Sequence, residues 1–142
     1  MVRFDGVTSR ATPLLAVPTI TAPLDGGTVA AAGFTVQFTL PSGSAYATID
    51  LSSPGANTLS WTVVVPPDAT SFTFVQLPQE ATSPLIAGRT YTMALTAFRI
   101  DEGDVLLQQD QYRELTTHWY AIGAGERGVR ALSRRSIQIT AN

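Results

Sequence analysis

The chain has 142 residues, 44% hydrophobic and 14% charged, which suits one domain with a sizeable core and excludes a disordered, highly charged chain. A net charge of −2 leaves no basic footprint for nucleic acid. The lack of cysteine excludes disulfides, thiolate zinc sites and a thiol nucleophile, and the single histidine excludes multi-histidine metal sites.

Residues 1–13 are polar and carry no periodic pattern. Leu14 to Thr21 is broken by Pro18, which suits an edge strand. Pro23-Leu-Asp-Gly-Gly27 reads as a turn. Phe34 to Leu40 alternates cleanly, with Phe34, Val36, Phe38 and Leu40 on one face. Pro41 to Ser44 closes it, and Ala45 to Leu51 is the next strand. After the turn Ser52–Asn57, Leu59 to Val65 places Leu59, Trp61, Val63 and Val65 on one face. Pro66-Pro-Asp68 ends that strand. Ser71 to Leu77 alternates Phe72 and Phe74 with polar neighbours. Pro78 to Gly88 is a long connection.

Thr90 to Ile100 sets Tyr91, Met93, Leu95 and Ala97 on one face. Asp101 to Asp104 is a polar tip. Val105–Leu107 and Arg113–Ile122 make one broken strand or two, Gly123 to Gly128 is glycine-rich, and Arg135 to Thr140 is a last short strand. No segment of helical length has a 3.6-residue period, and none approaches the roughly 18 to 20 apolar residues of a membrane helix. Short alternating runs punctuated by Pro and Gly predict seven to nine strands in an antiparallel all-β sandwich, with a barrel as the alternative.

Two stretches resemble the fibronectin type III domain of the immunoglobulin-like sandwiches. Phe34-Thr-Val-Gln-Phe-Thr-Leu-Pro-Ser-Gly43 is similar to the family's second strand, with Phe38 where tryptophan is usual. Leu85-Ile-Ala-Gly-Arg-Thr-Tyr-Thr-Met-Ala-Leu-Thr-Ala97 is similar to its leucine, glycine, tyrosine run. Ala69 to Phe74 resembles the strand between them. The resemblance implies an immunoglobulin-like sandwich over residues 18–122, after an N-terminal extension 1–17 and before a C-terminal tail 123–142. It implies that the Tyr91 hydroxyl bonds back to nearby backbone. Phe38, Trp61, Leu85 and Tyr91 are the expected structural residues. The family serves mainly as spacer, adhesion or recognition module, and fold alone does not choose among these roles.

Candidate chemistry is sparse. His118 could act as base only beside a hydroxyl and an acid, and no Gly-x-Ser-x-Gly elbow accompanies it. Asp101, Glu102 and Asp104 offer hard oxygen ligands for a cation such as calcium, without the EF-hand register; the plainer reading is a solvated hairpin tip. Tyr46, Tyr112 and Tyr120 could form a stacking platform for sugar rings, with Trp119 adjoining Tyr120, against a plainer reading that puts Trp61 and Trp119 in the core and the tyrosines on the rim. Arg127, Arg130, Arg134 and Arg135 gather positive charge in the tail, suited to a phosphate or a carboxylate-bearing partner, or to a solvated segment.

All nine basic residues are arginine, so no lysine guards a strand edge. Terminal strands can add to a neighbour's sheet. The expectation is therefore a non-enzymatic structural or protein-interaction module, without cofactor, nucleic acid or membrane insertion. Its contacts are self-association or a protein partner at edge or terminal strands; a carbohydrate-binding module is the alternative. With no signal-length apolar run after Met1, the chain reads as cytosolic, already processed, or part of a longer exported protein. Its threonine-rich, charge-poor strands favour the outside of the cell or its surface.

Overall fold

The computed structural model describes residues 14–54, 60–75, 85–100 and 129–142. Among these residues there is no helix, and eight strands form two sheets. They are β1 (Thr19–Ala22), β2 (Gly27–Val29), β3 (Phe34–Thr39), β4 (Tyr46–Ser52), β5 (Ser60–Val65), β6 (Ser71–Phe74), β7 (Thr90–Ile100) and β8 (Val129–Ala141). One sheet has the order β1-β3-β6 and the other β2-β8-β7-β4-β5. The protein is an all-β sandwich.

The alternation read from the sequence builds the core. In β3, Phe34, Val36 and Phe38 are buried while Thr35, Gln37 and Thr39 are exposed. In β7, Tyr91, Met93, Leu95 and Ala97 are buried; the first three share one core cluster with Ile49 and Leu51 of β4 and Ile137 and Ile139 of β8, the neighbouring strands of the same sheet. Phe74 joins the two sheets. It stacks on Phe34 at 4.9 Å between ring centroids and meets Phe72 edge-on at 5.0 Å within its own sheet. Across the sandwich it receives Trp61 edge-on at 5.1 Å. Phe38 and Leu85 are also core residues.

Four features differ from the sequence reading. The strand expected over Leu14–Thr21 begins only at Thr19, past Pro18, and is an edge strand. Gly27 does not only close a turn; it opens β2, which runs parallel to β8, the single parallel pairing in the sheets. The short final strand expected over Arg135–Thr140 is thirteen residues long and lies between β2 and β7. Residues 129–141 are thus part of the sandwich and not of a tail. Finally, β4 and β7 are buried on both faces: Tyr46, Thr48, Ala94 and Thr96 alternate with the core residues and are buried as well.

The turn before β2 depends on its glycines. Gly26 has φ +76°, and the Gly27 N–H donates to Leu24 O at 2.9 Å. A β-carbon on Gly27 would lie 2.8 Å from that same carbonyl oxygen. Only a residue without a side chain fits so tight a reversal.

Candidate functional site

The sequence-predicted binding residues Tyr112, Trp119 and Tyr120, the acidic tip Asp101, Glu102 and Asp104, and His118 all lie outside the described residues. Of the connection 78–88, only 85–88 is described. There the Gly88 N–H donates to Ala141 O at 2.8 Å, so this end of the loop is tied to the end of β8. Among the described residues no group of three or more acids or histidines could hold a metal ion, and no helix is long and apolar enough to cross a membrane.

Two tyrosines behave oppositely. The Tyr91 hydroxyl accepts the Ile86 N–H at 2.7 Å, bonding back to backbone five residues upstream. Tyr46, expected among the sugar-stacking tyrosines, is instead buried, and its hydroxyl has no hydrogen-bond partner among the described residues. Its ring stacks on Phe98 at 4.7 Å, nearly coplanar. Burial disfavours the phenolate and pushes the Tyr46 hydroxyl up to about 12. Nothing reactive stands beside it among the described residues, so the group belongs to packing.

The feature with chemical potential is the outer edge of β8. On one side β8 pairs with β7 along almost its whole length, antiparallel, from Thr140 to Val129. On the other side β2 covers only Ile139, Thr140 and Ala141. Just beyond β2 the pairing ends with a side chain. Gln138 O accepts the Gly26 N–H at 2.8 Å, and the Gln138 N–H donates to Asp25 Oδ1 at 2.7 Å. These bonds fix which residues face outward. In an antiparallel ladder, one residue in two turns its N–H and C=O to a given side. Gln138 points away from β7, and no register shift interrupts β8 from Leu132 to Gln138. Ser136, Arg134 and Leu132 therefore also point their backbone groups outward, and no strand pairs with them there among the described residues.

The surroundings of that edge are distinctive. Arg134, Arg135 and Ser136 are exposed. Neither β8 nor its neighbours β2 and β7 carries an acidic residue. Ser133 Oγ donates to Ala16 O at 2.6 Å, bringing residues 14–17 against the strand, where Leu15 is buried. Of the six large hydrophobic side chains left exposed among the described residues, Leu132 is on the edge itself. Leu14 and Val17 lie within two residues of Ala16, and Leu24 adjoins Asp25. Scattered surface hydrophobics need no explanation, but Leu132 stands on an edge whose backbone is unpaired among the described residues, which marks a contact surface.

The sequence displays the arginines and the lack of lysine but does not display this edge. The edge exists because β2 is only three residues long, and no composition signal announces where a partner strand stops. Compared with known proteins, the chain matches no family model and no curated protein.

Proposed function

We propose that this protein is a non-enzymatic interaction module, an immunoglobulin-like sandwich of the fibronectin type III kind acting outside the cell or at its surface. It engages other chains by adding a strand to its own five-stranded sheet. The order β1-β3-β6 against β2-β8-β7-β4-β5, with Tyr91 bonded back to Ile86, supports the fold assignment. The observation that carries the function is the outward row of backbone groups at Leu132, Arg134 and Ser136, with which no strand pairs among the described residues. Such a row templates pairing with another chain, and the exposed arginines of the same strand select which chains can pair.

Residue-resolved amide hydrogen exchange of the whole chain tests this reading. Dilute protein should exchange fast at Leu132, Arg134 and Ser136 and slowly at Ser133, Arg135 and Ile137. Protection of the three outward amides at every concentration would mean that the edge is already closed within the chain, and would refute the reading.

A further inference from the structure

We propose that the β8 edge takes an extended acidic segment of another protein, paired along Leu132–Ser136, with adjacent carboxylates that meet Arg134 on one face of the sheet and Arg135 on the other. This rests on the edge-pairing function above and names the partner's chemistry.

Three observations lead there. The first is room. Leu132 to Ser136 spans roughly 13 Å at strand spacing, enough for a partner strand of about five residues. The second is a precedent within the molecule: the next outward amide along, that of Gln138, is already held by a carboxylate, Asp25 Oδ1 at 2.7 Å. A carboxylate on a backbone N–H is a charge-assisted bond, stronger than a neutral one. The third is charge. Arg134 and Arg135 are exposed, and β2, β7 and β8 hold no acid to neutralise them. Guanidinium groups bind carboxylates bidentately, so an acidic strand gains both backbone and side-chain contacts.

The same charge argues against a second copy as the occupant. Two β8 edges side by side would bring both Arg134–Arg135 pairs together with no acid on either strand, and like charges across a strand pair are destabilising. Leu132, exposed on the edge itself, offers an apolar contact to the residues that flank the acids.

The test uses the full chain and a fluorescein-labelled octapeptide of valine and threonine with two adjacent central glutamates, one for each face of the paired strand. Its controls are the same peptide with lysine for glutamate, and the glutamate peptide N-methylated at alternate residues. Fluorescence anisotropy should show saturable binding of the glutamate peptide alone. Binding should weaken as salt rises and fall about tenfold or more in Arg134→Glu/Arg135→Glu, the scale of hydrogen bonds to charged groups. In Ser136→Pro, which removes one outward N–H and no N–H of the β7 ladder, binding should also fall. Circular dichroism confirms that each variant is folded.

Equal binding of the N-methylated peptide would overturn strand pairing and leave only charge attraction. If no peptide binds but light scattering shows concentration-dependent oligomers that Ser136→Pro abolishes, the acidic partner is wrong while edge pairing stands. If no peptide binds and the chain is monomeric throughout, the acidic-segment proposal is overturned; the exchange pattern then decides separately whether the edge is open.

Discussion

Replacing Tyr46 by phenylalanine removes one oxygen and nothing else. In most buried sites that change costs stability, because the hydroxyl had a partner. Here the hydroxyl is buried without one among the described residues, and an unsatisfied buried polar group costs about 1–3 kcal/mol. The ring's stack on Phe98, 4.7 Å away, survives the substitution. Tyr46→Phe is therefore expected to stabilise the protein at neutral pH, by about 1 kcal/mol or more.

A second signature comes from alkaline titration. The folded hydroxyl titrates near 12, raised from 10 by burial. Between pH 10 and 12 the unfolded chain releases this proton while the folded one keeps it, so the unfolded state gains and stability falls as pH rises. The phenylalanine variant lacks that loss. Its advantage should widen by roughly 1 kcal/mol per pH unit in that window and stay flat below pH 9. Urea unfolding followed by tryptophan fluorescence, at pH 7, 9, 10 and 11, measures both effects. A loss of 1 kcal/mol or more at pH 7 would refute the reasoning, since it would show that the hydroxyl makes a bond worth keeping.

Other substitutions test the remaining elements. Tyr91→Phe is the same chemical change with the opposite sign, because it orphans the Ile86 N–H held at 2.7 Å; a loss of about 1–2 kcal/mol in urea unfolding is expected. Phe74→Ala empties the ring that touches Phe34, Phe72 and Trp61, and should cost about 3–5 kcal/mol, read as a large drop in the urea midpoint. Gly27→Ala forces a β-carbon to 2.8 Å from Leu24 O. It should cost about 1–3 kcal/mol and speed amide exchange at Thr140, whose pairing with β2 loosens.

The strands that the sequence reveals are those with one wet face. β3 alternates phenylalanine and valine with threonine and glutamine because Thr35, Gln37 and Thr39 meet water, and its pattern is plain. β7 is legible on its core side, although Ala94 and Thr96 are buried on the other side too; small residues hide that second burial. β2 is invisible because three residues cannot display a period. The beginning of β8 is obscured by Arg134 and Arg135, whose charges break the apolar alternation. They lie toward the uncovered margin, where a three-stranded sheet faces one of five. Thus the arginines that mask the strand from pattern reading are also the groups that give its edge a chemical character. Tyr91's bond to nearby backbone followed from a resemblance, whereas the open edge depends on where β2 ends.

The place of β8 has a consequence for synthesis. Residues 129–141, late in the order of translation, occupy the middle of the larger sheet, and β2 has no other strand to pair with. The Ala141 N–H reaches Arg89 O, and Asn142 exchanges backbone bonds with Val29 and Ala31. A nascent chain that has emerged only through β7 has one flank of that strand bare and its first and last segments still unjoined. Pairings of such long sequence separation form slowly, and apolar surface stays uncovered meanwhile. The sandwich therefore closes only after residue 141 has cleared the ribosome. Until then the β7 flank that β8 will fill is the surface a chaperone would hold.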